Sequence, residues 1–135
     1  MLAHVTAEAS QSLIYAAPVL RVSDISRSLA FCRDRLGFAV DFVYETFYAG
    51  VCRDGCYIHL KWSPPPARDQ AAFEREEPID IYIAVHSAEM LSEGFTSSGV
   101  TFVVPLRYMP YGKEFYIRDP DGYVLGFVES TPTAR

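Results

Sequence analysis

The chain has 135 residues, of which 50 % are hydrophobic and 21 % are charged, and this balance predicts one globular domain with its own core. A net charge of −5 disfavours a nucleic acid as partner and is compatible with a cationic ligand. No apolar run approaches a membrane span, and the N-terminus lacks a basic region followed by an apolar one, so we expect no membrane partner. Three cysteines without a CxxC pair, Cys32, Cys52 and Cys56, favour core thiols in a reducing compartment and hence a cytoplasmic protein.

The first half of the chain predicts a βαβββ unit over residues 14–62. Residues 1–13 are small and polar and predict a flexible N-terminal tail, and residues 131–135 predict a C-terminal tail. Ile14–Val22 is apolar and predicts a strand. Because proline cannot donate to a ladder, Pro18 indicates an edge strand or a point where the strand leaves one sheet.

A helix and three further strands complete this unit. Ser23 or Asp24 can cap the helix, and Gly37 stands where a helix end favours a left-handed residue. The apolar face of the helix repeats at i, i+4, i+7 and i+11 and comprises Ile25, Leu29, Cys32 and Leu36. The predicted strands cover residues 38–44, 48–53 and 56–62.

Residues 63–78 interrupt this pattern. Three consecutive prolines, Pro64–Pro66, are followed by a charged run that ends in Glu76, Glu77 and Pro78. This composition predicts a solvated connector between two halves, with a helical turn around residues 71–75.

A second βαβββ unit is predicted over residues 79–130. Its first strand covers 80–85, and the helix that follows can be capped by Ser87 and ended by Gly99. Residues 100–104 predict the next strand. Both halves therefore have the same order of caps, stops and strands, which indicates a duplication.

The spacing of matching glycines locates an insertion in the second unit. Gly37 and Gly99 are 62 residues apart (99 − 37), whereas Gly55 and Gly122 are 67 apart (122 − 55). The second unit therefore carries a longer excursion, which we place at residues 107–112.

The most distinctive repeated stretch is a turn followed by a buried strand, over residues 118–129 and, in a shorter form, over 53–62. Asp119, Pro120 and Gly122 have turn chemistry, and the residues that follow are β-branched, aromatic or aliphatic. Aligning the glycines of the two turns superimposes Ile58 on Leu125, His59 on Gly126 and Leu60 on Phe127.

Alternation along the strands predicts two sheet faces of different character. In the strand at 56–62, the set predicted to lie under the helix is Ile58, Leu60 and Trp62, and the opposite set is Tyr57, His59 and Lys61. Two such modules would curl into a cup, on which Ala17, His59, Asp80 and Gly126 converge. The predicted fold class is α+β, with two tandem βαβββ modules that form a cup-shaped mixed sheet.

Paired βαβββ modules over residues 15–130 resemble the vicinal oxygen chelate superfamily, which includes glyoxalase I, extradiol dioxygenases and bleomycin resistance proteins. The resemblance places the metal ligands of its metalloenzymes at Ala17, His59, Asp80 and Gly126. Alanine and glycine have no side-chain donor, so we expect no metal and no cofactor.

Among these relatives the chain most resembles the bleomycin resistance proteins. The shared segments are Pro18–Leu20, Phe31, Asp34–Phe38, Asp41–Val43, Val51–Asp54, Tyr111–Phe115 and Arg118–Pro120. The resemblance implies a homodimer that exchanges an N-terminal strand and sequesters a large, flat, cationic glycopeptide between subunits without chemistry. It also places ligand-stacking aromatic residues at Phe47 or Tyr48, at Tyr82 and at Tyr111.

Polar residues of the predicted cup allow more than one role. His59 is either an acid, base or hydrogen-bonding group or an ordinary core histidine. A carboxylate in an apolar strand needs a partner, so we hypothesise that Asp80 pairs with His59. Arg21 either meets an anionic group in the cup or forms a salt bridge with Glu114 or Asp41.

The sequence thus predicts a metal-independent protein that binds an aromatic or glycopeptide ligand in a dimer cleft, with no catalytic residue assigned. One alternative is a glyoxalase-like or dioxygenase-like metalloenzyme, a lyase, isomerase or oxygenase with an atypical metal site. Another is a scaffold whose cup is filled by its own side chains. The predicted ligand-binding residues are Arg21, Phe47, Tyr48, His59, Asp80, Tyr82, Tyr111 and Glu114.

Overall fold

Residues 12–132, which a computed structural model describes, form eight strands and three helices. In chain order these are β1 (Val19–Val22), α1 (Ile25–Ala30, continued by a π-helical turn over Phe31–Arg35), β2 (Ala39–Tyr44), β3 (Tyr48–Arg53), β4 (Cys56–Trp62), α2 (Gln70–Arg75), β5 (Ile81–Ala84), α3 (Ala88–Ser97), β6 (Thr101–Met109), β7 (Gly112–Arg118) and β8 (Val124–Ser130). The two predicted tails lie mostly outside the described residues. Between residues 12 and 132, no helix has the length and apolar character needed to cross a membrane.

The strands form two four-stranded mixed sheets of the same topology. The first has the order β1-β4-β3-β2 and the second β5-β8-β7-β6. Val19 lies opposite His59 in the first sheet, and Tyr82 lies opposite Gly126 in the second. Equivalent positions are therefore 63 (82 − 19) and 67 (126 − 59) residues apart, and the second value equals the spacing of Gly55 and Gly122. The duplicated βαβββ fold is thus confirmed.

Local signals fix the ends of the two longer helices. The side chain of Asp24 accepts a hydrogen bond from the Arg27 N–H at 3.0 Å, and that of Ser87 accepts one from the Met90 N–H at 3.2 Å. Each cap satisfies a backbone donor that the first helical turn leaves free. After each helix, Gly37 and Gly99 adopt φ values of +75° and +80°, which an L-residue with a β-carbon rarely adopts.

One hydrophobic core joins the two halves. Val22 and Leu60 of the first sheet and Phe115 and Phe127 of the second belong to the same cluster of buried side chains. The Phe115 and Phe127 rings are stacked with centroids 5.0 Å apart, and Phe95 of α3 lies edge-on to Phe127 at 5.3 Å. Each sheet therefore buries one face against the helices and leaves the other for different contacts.

Two expectations about the strands need correction. The predicted strand over residues 14–22 is regular only from Val19, because the chain before Pro18 lies on the sheet face, where Tyr15 contacts His59. Trp62, expected under the helix, is 60 % exposed, because it ends β4 where the helix no longer covers the sheet. The longer excursion expected at 107–112 is present as the end of the β6–β7 hairpin, in which Met109 pairs with Gly112.

The cysteines also differ from the expectation of three core thiols. Cys32 is buried, Cys52 is half-buried and Cys56 is exposed, and all three are unpaired. Burial raises the pKa of the Cys32 thiol to about 12, so this group stays protonated at neutral pH and behaves as a small apolar side chain.

The turn at residues 118–123 ties the second half to β1 and α1. The buried Asp119 carboxylate accepts hydrogen bonds from the N–H groups of Asp121 and Tyr123 at 2.9 and 2.8 Å. Asp121 in turn accepts one from the Ser23 hydroxyl at 2.7 Å. The Tyr123 hydroxyl donates to the carbonyl of Arg21 and accepts from its N–H, at 2.9 and 3.1 Å, which satisfies the outer edge of β1.

The buried carboxyl of Asp119 predicts a pH-dependent stability. Burial raises its pKa to about 6, so the folded state binds this proton more tightly than the unfolded state, and ionisation between about pH 4 and pH 6 lowers the free energy of unfolding. Asn at this position keeps the oxygen acceptor and removes the titration. Relative to Asp119→Asn, the wild type should lose about 3 kcal/mol over this range in urea unfolding at a series of pH values.

Asp54→Asn is the matched control, because the Asp54 side chain is 89 % exposed and its φ of +51° suits asparagine. We expect this control to follow the wild-type pH dependence. Stability curves that run parallel for Asp119→Asn and the wild type would contradict the role assigned to Asp119.

Candidate ligand-binding site

The face of the first sheet that points away from α1 is lined with aromatic rings around His59. Three rings approach the imidazole edge-on, with centroid distances of 5.2 Å for Phe42, 5.4 Å for Tyr48 and 5.8 Å for Tyr15. The Tyr15 ring is also stacked on Tyr57 at 4.1 Å. We call this set, Tyr15, Phe42, Tyr48, Tyr57 and His59, the aromatic face.

Two tyrosine hydroxyls hold the imidazole in place. The Tyr48 hydroxyl lies 2.9 Å from Nδ1 of His59, and the Tyr15 hydroxyl lies 3.1 Å from Nε2. A neutral imidazole has one donor and one acceptor nitrogen, so one tyrosine donates to the ring and the other accepts from it. The accepting tyrosine keeps its own proton, which is available to a ligand carbonyl or other acceptor.

Gly50 allows Phe42 to lie close to the strand next to His59. A β-carbon at Gly50 would stand 2.3 Å from Cε1 of Phe42, so any side chain there would push the ring away. Beyond this point the β2–β3 turn carries Tyr44 and Phe47, whose rings meet edge-on at 5.4 Å. Both side chains are exposed, so they extend the ring-lined surface at its rim.

The equivalent face of the second sheet is charged at one end. Glu114 is 1 % exposed, and its carboxylate accepts hydrogen bonds from Nε of Arg107 at 2.8 Å and from the Tyr111 hydroxyl at 2.7 Å. Burial and then the bond to Glu114 raise the pKa of Tyr111 to about 12. The carboxylate is therefore compensated within the chain, as a buried charge requires.

The rest of this face is covered by the connector. Phe73 of α2 and Ile79 pack against a small cluster that contains Val104 and Tyr116. A β-carbon at Gly126 would lie 2.9 Å from Cγ2 of Ile79, so Ile79 fills the space that the absent side chain leaves. The chain therefore closes the second face with its own residues.

Ion pairs fasten the connector to the same sheet. Glu74 binds Arg118 through two hydrogen bonds of 2.6 Å, and Glu77 lies 3.0 Å from Arg107. The bond to Arg118 lowers the pKa of Glu74. Within the predicted connector, 63–78, residues Phe73, Glu74 and Glu77 thus contact the sheet or its arginines instead of being fully solvated. The helical turn predicted around 71–75 is present as α2.

The structure separates the predicted site residues into different surroundings. Tyr48 and His59 meet on the aromatic face, and Tyr111 and Glu114 meet on the second sheet. Phe47 and Tyr82 are exposed, at 42 % and 58 %. Within the described chain these groups do not form one cluster.

Two predicted pairings are wrong. Asp80 is held by both terminal nitrogens of Arg68, at 3.1 and 3.0 Å, and by the Val124 N–H at 2.8 Å. His59 binds tyrosines instead, so the hypothesised His59–Asp80 pair does not form. Arg21 donates through Nε to the Ser63 hydroxyl at 3.3 Å, and neither Glu114 nor Asp41 is its partner.

A separate cleft of roughly 430 Å³ lies between α1 and the second half. Three arginines line it, but each is engaged within the chain. Arg27 binds Asp121 at 3.2 Å, Arg118 binds Glu74, and Arg35 donates to a backbone carbonyl at the end of α3. No lining guanidinium is left without a partner, so we place the candidate site on the sheet faces instead.

Comparison with known families identifies the chain. Residues 2–127 match the family model described as the Glyoxalase/Bleomycin resistance protein/Dioxygenase superfamily. The chain belongs to this superfamily. A search of curated proteins found no significant match.

Several solved structures of superfamily proteins are similar over most of the chain. The bleomycin-binding protein of bleomycin-producing Streptomyces verticillus, complexed with copper(II)-bleomycin, has 26 % identity and a TM-score of 0.67, covering 88 % of this chain and 98 % of that one. The antibiotic-binding protein TnmS3 from Streptomyces sp. CB03234 has 17 % identity and a TM-score of 0.69, with coverages of 90 % and 99 %. The fosfomycin resistance protein FosX from Listeria monocytogenes has 17 % identity and a TM-score of 0.68, with coverages of 91 % and 98 %. The last two show likeness of fold alone.

The positions that the resemblance assigns to metal ligands in the superfamily do not fit a metal ion here. Ala17 and Gly126 offer no side-chain donor, and both oxygens of Asp80 are bound to Arg68. Only His59 remains. Between residues 12 and 132, no three His, Cys, Asp or Glu side chains come together in a way that could hold a metal.

Sequence reasoning missed several residues of both faces. Tyr15 and Phe42 contact His59, and Arg68 and Arg107 neutralise Asp80 and Glu114. Phe42 could have been found from the sequence, because it belongs to an aromatic cluster, Phe42, Tyr44, Phe47 and Tyr48, that is followed by Gly50. The arginines had none, since their partners are set by the docking of the connector.

The contact between Ile79 and Gly126 predicts a measurable coupling. Gly126→Ala places a β-carbon against Ile79, and Ile79→Ala removes the obstructing atoms. The double variant should therefore lose roughly 1 kcal/mol less stability than the sum of the two single variants in urea unfolding. Strict additivity would show that Ile79 does not lie over Gly126 in solution.

Proposed function

We propose that this protein binds a small molecule without a metal and holds an aromatic or extended ligand against the aromatic face of its first sheet. The observation that carries the proposal is the ring-lined surface around His59. Tyr15, Tyr44 and Phe47 remain 45 %, 60 % and 42 % exposed there, and exposed aromatic clusters are unusual on a protein surface that has no partner.

The chemistry of this face suits a flat ligand with a polar edge. Edge-on and offset-stacked rings offer favourable geometry to a further aromatic ring. The tyrosine hydroxyl that accepts from His59 can donate to an acceptor on the ligand. The similarity to a bleomycin-binding and to an antibiotic-binding protein supports sequestration of an antibiotic as the physiological role. The net charge of −5 favours a cationic one.

We propose further that the protein acts as a homodimer in the cytoplasm. A partner subunit would close the cleft over the aromatic face, and Tyr82 and Tyr111 of the second sheet would then be available to the ligand. The strand exchange implied by the resemblance stays a prediction, because β1 pairs with β4 of the same chain. Three unpaired cysteines suit a reducing compartment.

Calorimetric titration tests the binding proposal. Copper-free bleomycin and a panel of planar aromatic antibiotics are titrated into metal-free protein, with one ligand bound per chain expected for at least one compound. Phe42→Leu removes a ring beside His59 and should weaken that ligand about fivefold to tenfold. Tyr108→Leu, on the exposed end of β6, is the control and should leave the affinity unchanged.

Two results would contradict this proposal. One is the absence of binding by every compound, and the other is equal affinity for the wild type and Phe42→Leu. Elemental analysis that finds a stoichiometric divalent metal would favour the metalloenzyme alternative. Sedimentation analysis of the purified protein gives the oligomeric state, and a monomer at ligand-binding concentrations would overturn the dimer cleft.

A further inference from the structure

Residues 70–79, which cover part of the second sheet, present to it the kinds of group that a bound ligand would present. This segment presents two apolar groups, Phe73 and Ile79, to the small cluster on the sheet, and two carboxylates, Glu74 and Glu77, to Arg118 and Arg107. Apolar groups flanked by negative charge thus meet an apolar wall flanked by positive charge. The segment and the sheet are therefore complementary in both apolar packing and charge.

The apolar contacts of the segment are few and its helix is short. Helix α2 has six residues, none of them buried, and helices shorter than about 12 residues are marginal without tertiary contacts. The ion pair of Arg107 and Glu77 is partly solvated, with side chains 29 % and 47 % exposed, and such a pair contributes little to stability. The ion pair of Glu74 and Arg118 is less exposed, at 15 % and 37 %, and is the stronger anchor of the segment. Glu77 adopts a φ of +57°, a left-handed conformation that is unfavourable for a residue with a β-carbon.

Displacement of the segment would leave an uncompensated positive charge on the sheet. Arg118 would lose its carboxylate partner, whereas Arg107 would keep Glu114 at 2.6 Å. Two guanidinium groups and one carboxylate would then border a slot lined by Val104 and Tyr116. Such a slot favours an anion that also carries an apolar ring.

We propose that the second sheet carries a latent binding site for an aromatic carboxylate or a similar aromatic anion, and that residues 70–79 occupy it as an internal substitute for that ligand. This site goes beyond the proposed function, because it lies beneath residues 70–79 and uses neither the aromatic face nor Tyr82 and Tyr111. Ligand and segment compete for the same guanidinium groups. The apparent dissociation constant therefore equals the intrinsic one divided by the fraction of molecules in which the segment is displaced.

The test uses 2-naphthoate and its neutral analogue 2-naphthamide as probes. Glu74→Gln/Glu77→Gln removes the competing charges and should tighten 2-naphthoate binding about tenfold in calorimetric titration, because it raises the displaced fraction. The effect on 2-naphthamide should be much smaller, since the amide does not engage the freed guanidinium groups. Ile79→Ala removes only apolar contacts of the segment and should also tighten 2-naphthoate binding. It replaces the double variant if that variant folds poorly.

Two controls isolate the site from general charge and from the aromatic face. Glu76→Gln/Glu93→Gln changes the net charge equally at two exposed positions and should leave the affinity for 2-naphthoate at the wild-type value. The tenfold gain of Glu74→Gln/Glu77→Gln should persist in a Phe42→Leu background, because Phe42 lies on the first sheet. A loss of that gain in the Phe42→Leu background would assign the probe to the aromatic face and overturn the proposal.

Hydrogen exchange of the wild type gives an independent readout. Saturating 2-naphthoate should accelerate exchange of the amides of residues 70–79, since the bound probe displaces them. Unchanged exchange in this segment would overturn the proposal, and so would an equal gain in affinity for both double variants. Failure of the bleomycin titration would leave these results unaffected, so the two proposals fail separately.

Discussion

The architecture depends on how the hydroxyl of Tyr123 binds the edge of β1. This hydroxyl satisfies both backbone groups of Arg21, and the buried Asp119 holds the turn that presents it. Without this contact β1 would be an open edge strand with unpaired polar groups. The turn therefore stabilises the first half although it belongs to the second.

The two halves have the same strands but use their free faces differently. In the first, ring positions on β2, β3 and β4 surround a histidine, and its polar atoms are satisfied by tyrosines. In the second, glycine stands at the equivalent position, and Ile79 from the connector takes the space. One face therefore leaves its aromatic rings partly exposed, whereas the other is covered by groups of complementary shape and charge. The duplicated scaffold thus has two sheet faces of different chemistry.

The sequence predicted what local chemistry determines. Short-range signals predict the caps at Asp24 and Ser87 and the left-handed glycines after the two long helices. The aligned turns also predict that His59 and Gly126 occupy equivalent positions in the two sheets. The docking of the connector could not be predicted, because its apolar residues are few and their partners lie on distant strands. For the same reason the sequence did not predict that Asp80 binds Arg68, which belongs to the connector. The position of Tyr15 depends on where the chain crosses the sheet before β1, which no periodicity records.

Equivalent positions of the two sheets carry different residues, His59 and Gly126, and this difference limits the substitutions that position 126 can accept. A histidine introduced at position 126 would collide with Ile79, so symmetry between the halves cannot return through one substitution. The connector would first have to move away, and its removal alone would expose an apolar slot beside an unpaired Arg118. The two copies of the module are therefore held apart in sequence by Ile79, which packs against Gly126.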